Sequence, residues 1–388
     1  MKVLLVNNGF SPRKGRGAAI FVERLAQWLV ADGVQVVVVS ANQGNQFGKR
    51  QHNGATVYDL PYQPDLENNS EKAKIKAIDN RLSSLRYVIT EERPDVAHTN
   101  SINRYTTRAW EVIKSLEVPL LHSLLLYDLM CQNGSRYKNG QGTCHITCGE
   151  CNQELAFNKH NSAAVDAIAS ISRHVLDQHI NQGFFPDATQ SRVVYGSPGD
   201  LDVKHTPVAK DAPLRCAYLG WLEPGKGVEW LAANIAHLPR EGWSLRFAGP
   251  GERTDQARLR SMTMSYPHIF FDGYVETPSL LAEIDLLLIP SLWEEPLGLV
   301  ALEALCNGVP ILTSGRGGLS EISKLMPDNA FVFDPDQPEI FHSIMETFIE
   351  APEILRKMGP DCAIKARELF NDAKTCNDYQ QIYETLLK

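Results

Sequence analysis

Short apolar runs rich in β-branched residues alternate with longer segments of helical period along the whole chain. The alternation breaks once, at a polar, Pro-bearing stretch over 196–213, and then restarts. Such a repeat is the pattern of βα units stacked on parallel sheets. In the first half strands are expected at 3–6, 34–40, 56–60, 96–99, 120–126, 167–171 and 192–195, and helices at 18–31, 71–92, 104–115 and 172–182. In the second half strands are expected at 215–219, 244–248, 269–271, 285–289, 310–313 and 331–333. The helices there should lie at 227–237, 253–265, 299–306, 339–349, 352–370 and 373–387. The expected architecture is α/β: two Rossmann-like, doubly wound parallel-sheet domains facing across a cleft. Residues 1–197 form the first domain, completed by a C-terminal helix at 373–388, and residues 198–372 form the second. A length of 388 residues suits two domains, and ligands of such sheets bind at the carboxyl ends of the strands.

Charge removes several classes of function. Lys and Arg total 38 against 46 Asp and Glu, a net charge of −8, opposite to the basic surface that a nucleic-acid binder needs. The halves differ: 21 basic and 18 acidic side chains over 1–197 give +3, which leaves −11 for the rest. The N-terminal apolar run ends at Asn7, too short for a signal-peptide core, and the apolar-rich stretch 118–130 falls short of the ~20 residues of a membrane span. The chain reads as cytoplasmic, either free or peripheral at the inner face of a membrane. A membrane contact would use Lys72, Lys74, Lys76, Arg81 and Arg86, although the interleaved Glu71 and Asp79 favour a plain solvated helix.

The densest chemistry lies in Pro290-Ser-Leu-Trp-Glu-Glu-Pro-Leu-Gly-Leu-Val-Ala-Leu-Glu-Ala-Leu-Cys-Asn-Gly-Val-Pro310. A strand ends, a loop carries Glu294 and Glu295, and Gly298 opens a helix. The amides of Leu297, Gly298, Leu299 and Val300 then form an anion site of the kind that holds phosphates. Glu295 should stand at its mouth and Glu303 two turns in. Glu303 sits amid Ala301, Leu302, Ala304 and Leu305, and a carboxylate in so apolar a segment needs a partner.

The spacing from Glu295 to Glu303, in its Pro-Ser-x-Trp-Glu and Leu-Glu-Ala-Leu setting, resembles the retaining family 4 glycosyltransferases of the GT-B fold. The likeness covers most of the chain. It implies that Glu295 lies by the transferred sugar and that Glu303 binds the ribose of a nucleotide. The segment Thr313-Ser-Gly-Arg-Gly-Gly-Leu-Ser-Glu321 resembles the family's Gly-Gly-Leu-x-Glu segment, and the final helix, with Tyr379 and Tyr383, resembles the one that crosses back to the first domain. Leu219-Gly-Trp-Leu-Glu-Pro-Gly-Lys-Gly227 resembles the family's strand-to-helix loop, which places Gly220, Trp221 and Lys226 at the donor site. Lys226 falls on the Lys that pairs with the diphosphate, but Trp221 replaces the family's Arg. In the N-terminal loop Gly17 matches the family's second Gly and Arg16 replaces the first. Arg13, Lys14 and Arg16 add positive charge that could offset Trp221.

His98 matches the first His of the family's His-x-His and Asn100 replaces the second. His122 closes another strand, and Leu125-Leu126 stand where the family carries a His-Asp or Arg-Asp pair, which leaves Tyr127 or Asp128 to take that place. His98 and His122 are therefore the catalytic candidates beside Glu295, with Asn100 and Arg16 on the acceptor side. Cys131-x12-Cys144-x3-Cys148-x2-Cys151 has ligand-like spacing, open to a structural zinc first, then to free thiols or two disulfides, with an iron–sulfur cluster behind these. Asp200 with Asp202, and Asp334 with Asp336, have the spacing of a metal-diphosphate pair but also of turn carboxylates, and the resemblance implies no cofactor for catalysis.

The expected function is transfer of a hexose from a nucleotide diphosphate sugar, UDP-glucose or a related UDP-sugar first, to a polysaccharide or lipid-linked glycan with retention. Two rivals stand beside it: a nucleotide-sugar epimerase or phosphorolytic enzyme, and a catalytically weak or inactive sugar-nucleotide-binding or metal-binding protein, the latter prompted by Trp221 and Leu125-Leu126.

Overall fold

Val3, Leu4, Leu5 and Val6 are wholly buried, as a strand flanked on both sides must be, and this strand is the centre from which the first half is built. The architecture is that of a computed structural model, which describes residues 1–11, 17–42, 44, 46–67, 69–145, 148–199, 201, 203–209 and 211–388, with the side chains at 17, 18, 66 and 150 left aside.

The chain runs β1 (Lys2–Asn7), α1 (Gly17–Ala31), β2 (Gln35–Ser40), β3 (Gly48–His52), β4 (Ala55–Asp59), α2 (Pro64–Glu67), α3 (Glu71–Glu92), β5 (Val96–Thr99), α4 (Arg108–Lys114) and β6 (Leu120–Leu124). A hairpin of β7 (Tyr137–Lys138) and β8 (Gly142–Thr143) follows, then α5 (Gly149–Asn161), β9 (Ala167–Ser170), α6 (Arg173–Asn181) and β10 (Gln190–Val193). The second half runs β11 (Leu214–Leu219), α7 (Val228–Asn234), β12 (Trp243–Ala248), α8 (Arg253–Thr263), β13 (Ile269–Gly273), α9 (Thr277–Leu281), β14 (Leu286–Ile289) and α10 (Leu299–Cys306). It ends with β15 (Ile311–Thr313), α11 (Leu319–Leu325), β16 (Ala330–Val332), α12 (Pro338–Glu350), α13 (Glu353–Leu369) and α14 (Asp372–Leu386).

Two compact units result. The first comprises Met1–Gly134, Thr147–Gly196 and Asp372–Lys388; the second comprises Ser135–Ile146 and Ser197–Asn371. The hairpin β7–β8 was not expected, and it belongs to the second unit although it interrupts the first in sequence. In the first unit eight strands order as β10-β9-β6-β5-β1-β2-β4-β3, all parallel except the β3–β4 pair. In the second, six parallel strands order as β13-β12-β11-β14-β15-β16. Both sheets are doubly wound Rossmann-like sheets. Strand order reverses beside β1, between β1 and β5, in one sheet and between β11 and β14 in the other. The carboxyl ends at those reversals are where such folds bind ligands.

Helix α14 completes the first unit, because Trp28 Nε1 donates to Asp372 Oδ2 at 2.9 Å and Thr375 Oγ1 to the carbonyl of Tyr195 at 3.0 Å. The core of the second unit gathers Leu245, Phe247, Leu288, Phe333 and Phe341, with Trp230 stacked on Phe333 at 4.9 Å between ring centroids. The helix expected from residue 104 starts only at Arg108, since Thr106 has φ 57°, outside the helical region. Among the described residues no helix is long and apolar enough to cross a membrane.

Candidate active site

In the second unit the reversal between β11 and β14 brings two loops together. After β11 a tight turn over Pro224–Lys226 ends at Gly227, which has φ 73°. A Cβ on Gly227 would stand 1.8 Å from the carbonyl oxygen of Pro290, so only glycine lets this turn lie against the end of β14. The carbonyl of Gly225 then accepts from the amides of Leu292 (2.9 Å) and Trp293 (3.2 Å), which ties the two loops backbone to backbone.

That clamp delivers Lys226 to Glu295. Glu295 is 6% exposed, and its Oε1 accepts from Lys226 Nζ at 2.7 Å, Ser291 Oγ at 2.7 Å and Trp293 Nε1 at 2.8 Å. The ammonium also lies 4.6 Å from the centroid of the Trp293 ring, a cation–π position. A third loop holds Glu295 from the backbone side: Gly318 N donates to its carbonyl at 2.7 Å, and a Cβ on Gly317 would meet that carbonyl oxygen at 2.3 Å.

Gly298 caps α10 with φ 91°, so Leu299 and Val300 are its first helical residues and their amides have no intrahelical acceptor. Leu297 is buried. Glu303 follows Leu299 by four residues, one turn rather than the two expected, because the helix begins only after the glycine. Gly220 and Trp221 follow β11, with Trp221 37% exposed and its carbonyl held by the Tyr218 hydroxyl at 2.7 Å.

One cation at this end of the unit was given no role by sequence reasoning. Arg316 donates to the carbonyl of Leu292 at 2.8 Å and to Asp336 Oδ2 at 3.0 Å. It therefore stands on the same loop that Gly225 grips. Its signal was present in the Gly-Arg-Gly-Gly run, where glycines press the backbone against Glu295. Asp336 is committed to Arg316, and its amide is bonded by Asp334 Oδ1, which makes that acidic pair a turn.

In the first unit His98 and His122 are buried. His98 is fully buried, with Nδ1 2.7 Å from the Tyr383 hydroxyl and Nε2 2.7 Å from Ser123 Oγ, and it stacks on Tyr379. Burial pushes its pKa down to about 3. His122 is bonded through Nδ1 to Thr99 Oγ1 at 2.9 Å and packed between Trp110 and Phe185; burial holds it well below the ordinary range, with His179 and His98 adding repulsion. Both ring nitrogens of His98 are spent inside the unit, the Tyr383 bond tying α14 to the sheet. His98 and His122, the expected catalytic histidines, are thus both buried in the first unit.

Asn100 lies at the end of β5 and Gly17 at the start of α1. Arg16, with Arg13 and Lys14, lies outside the described residues, as do Asp200 and Asp202. The basic stripe on α3 is smaller than expected: Lys72, Lys74 and Lys76 are exposed, but Arg81 is buried in a two-bond pair with Glu67, at 2.7 and 2.9 Å.

The four cysteines divide between the units, Cys144 with the hairpin and Cys131, Cys148 and Cys151 with the first unit. Burial pushes the Cys151 thiol up to about 11, and the Cys148 thiol hydrogen-bonds it. Among the described residues no three His, Cys, Asp or Glu side chains are placed to hold a metal ion, so the geometry supplies no ligand set.

Comparison with known proteins agrees with both sheets. Residues 213–351 match the family model of glycosyl transferases group 1, and residues 16–196 match the glycosyl transferase 4-like domain. The chain is a glycosyltransferase of the GT-B type. This glycosyltransferase is 28% identical over 346 residues to a 42.6 kDa protein of the cps region of Klebsiella pneumoniae, covering 86% of this chain and 90% of that one. Its fold is similar to that of sucrose-phosphate synthase from Thermosynechococcus elongatus, with a TM-score of 0.73 at 18% identity over 99% of this chain and 98% of that one. It is also similar to Anabaena HepE in complex with UDP-glucose, with a TM-score of 0.71 at 19% identity over 100% and 99% of the two chains.

Proposed function

We propose that this glycosyltransferase moves a hexose from a UDP-sugar, UDP-glucose first, to a hydroxyl of a polysaccharide or lipid-linked glycan with retention of anomeric configuration. The observation that carries the reading is the Lys226–Glu295 pair at the β11/β14 reversal, beside the open start of α10. In this reading the amides of Leu299 and Val300 and the Lys226 ammonium take the diphosphate, Glu303 takes the ribose and Glu295 orients the sugar. Diphosphate entry gives Lys226 a new partner and frees Oε1 of Glu295 for a sugar hydroxyl. Arg316 serves as the second cation that Trp221 does not provide.

The UDP-glucose bound by HepE and the cps-region location of the Klebsiella relative support the donor and the glycan acceptor. The test is incubation of the full chain with UDP-glucose and a glycan acceptor panel, reading UDP release and, by NMR, the anomeric configuration of the product. Acceptor-dependent UDP release with an α-linked product supports the reading; a β-linked product removes retention. A structural zinc on Cys131, Cys144, Cys148 and Cys151 is a separate proposal that rests on spacing alone. One zinc per chain by elemental analysis supports it, and titratable thiols without metal remove it.

A further inference from the structure

The hairpin β7–β8 belongs to the second unit, and no role in the donor site has been given to it. Tyr137 pairs with Thr143 and Lys138 with Gly142, and Gln141 N closes the turn on the carbonyl of Lys138 at 3.0 Å. At the base Cys144 N donates to the carbonyl of Arg136 at 2.6 Å, and the Arg136 guanidinium donates to the carbonyl of Cys144 at 3.0 Å. So short a two-stranded hairpin is not stable by itself, and its place depends on the surface that it covers.

That surface is the Lys226 turn. A Cβ on Gly225 would stand 3.3 Å from Tyr137 Cδ1 and 3.4 Å from its Cε1, so the ring covers the backbone of the residue before Lys226. The carbonyl of the same Gly225 accepts from Leu292 N, and the carbonyl of Leu292 accepts from Arg316 at 2.8 Å. The ring therefore lies where the Lys226 turn meets the loop that anchors Arg316. Charge agrees with this position: burial raises the Tyr137 hydroxyl above its ordinary pKa, the Arg316 guanidinium opposes the rise and the Glu229 carboxylate adds to it. Tyr137 is half-buried, and its own bonds are backbone ones with Ser135 Oγ. Among the described residues its hydroxyl makes no hydrogen bond, which leaves a phenolic donor open beside two cations.

We infer that Tyr137 is a donor-site residue whose hydroxyl donates a hydrogen bond to the diphosphate of the nucleotide sugar, beside Lys226 and Arg316. The inference deepens the proposed function and rests on its placement of the diphosphate. Lys226 and Arg316 supply charge there, and Tyr137 supplies a neutral donor whose direction is set by the contact of its ring with Gly225. A side chain at residue 225 would press on that ring, so the glycine before Lys226 serves the hairpin as well as the turn. The aromatic thus reaches the donor loop from a segment that interrupts the first unit in sequence.

Calorimetric titration of UDP into the full chain, as wild type, Tyr137→Phe, Tyr137→Ala and Lys226→Ala, tests the assignment. Tyr137→Phe keeps the ring on Gly225 and removes only the hydroxyl. It should raise Kd for UDP about tenfold, the worth of one hydrogen bond to a charged acceptor, with the melting temperature unchanged. Tyr137→Ala should weaken UDP at least as much. Uridine, which has no phosphate, should give the same saturation-transfer NMR signal with wild type and Tyr137→Phe. An unchanged Kd for UDP in Tyr137→Phe, with binding weakened in Lys226→Ala, would overturn the inference and leave the donor site standing. A uridine signal that falls together with UDP affinity in Tyr137→Phe would also overturn it, by showing that the hydroxyl serves the nucleoside or the fold. Absence of UDP binding by the wild type would overturn the proposed donor, and this inference with it.

Discussion

Lys226 Nζ lies 2.7 Å from Glu295 Oε1, so without ligand the cation proposed for the diphosphate and the acid proposed for the sugar hold each other. Ser291 and Trp293 donate to the same oxygen, which leaves the carboxylate fixed even when Lys226 turns away. Loss of either partner should therefore lower kcat/KM about 100-fold, in the range found when one preorganised donor is removed. Because the two side chains touch, the double variant Lys226→Ala/Glu295→Ala should lose less than the sum, with a coupling of ~0.5–3 kcal/mol. Steady-state kinetics on the four chains measure that coupling; strict additivity would show that the pair does not act as a unit.

Arg316 and Trp221 make a second prediction about charge. Arg316 is anchored to Leu292 and Asp336, and Trp221 is exposed where the resembled family carries an Arg. Arg316→Ala should weaken UDP binding about tenfold, the worth of one charge-assisted contact. Adding Trp221→Arg should recover most of that loss. Titration calorimetry with UDP distinguishes this from a merely structural Arg316, whose loss Trp221→Arg would leave uncorrected.

His98 predicts an acid-sensitive fold. Its folded-state pKa, about 3, lies below the ordinary 6.5, so the stability it brings is present above about 6.5 and is lost as pH falls toward 3. His122 acts in the same direction. His98→Gln should lower stability at pH 7 by ~1–3 kcal/mol through its bonds to Tyr383 and Ser123, yet flatten the decline between pH 7 and 5. Melting curves across that range check it, and a slope unchanged by the substitution would contradict it.

Asp128 has the opposite sign. Its pKa, about 6, is raised above 3.8, so its contribution is present below about 3.8 and is lost as pH rises through 6. Asp128→Asn should therefore gain on the wild type between pH 5 and pH 8, by about 2–4 °C in Tm. A difference constant over that interval would show that Asp128 is ionised without cost.

Much of the fold was legible because periodicity reports burial. The run Val36, Val37, Val38 and Val39 is buried throughout and could only be an interior strand, and α3 spans the residues its helical period marked. Elements with little apolar content were missed. Strand β3, Gly-Lys-Arg-Gln-His, is an antiparallel edge strand with no buried side chain, and α5 is largely polar. The donor-side residues were legible because glycines and carboxylates in that pattern report backbone approach. What the sequence did not show was which groups are satisfied: His98 looked free but is fully bonded, while Asn100, two residues on, has a side-chain amide with no hydrogen-bond partner among the described residues. Partner choice depends on contacts from α14, nearly three hundred residues away from β5.

The most direct measurement of the central claim is the affinity of UDP for the full chain, compared between wild type, Lys226→Ala and Glu303→Ala. Placement of the nucleotide at the β11/β14 edge predicts binding by the wild type, with Kd raised at least about tenfold in each variant while the chains stay folded. No binding by the wild type, or equal Kd in all three, would contradict it.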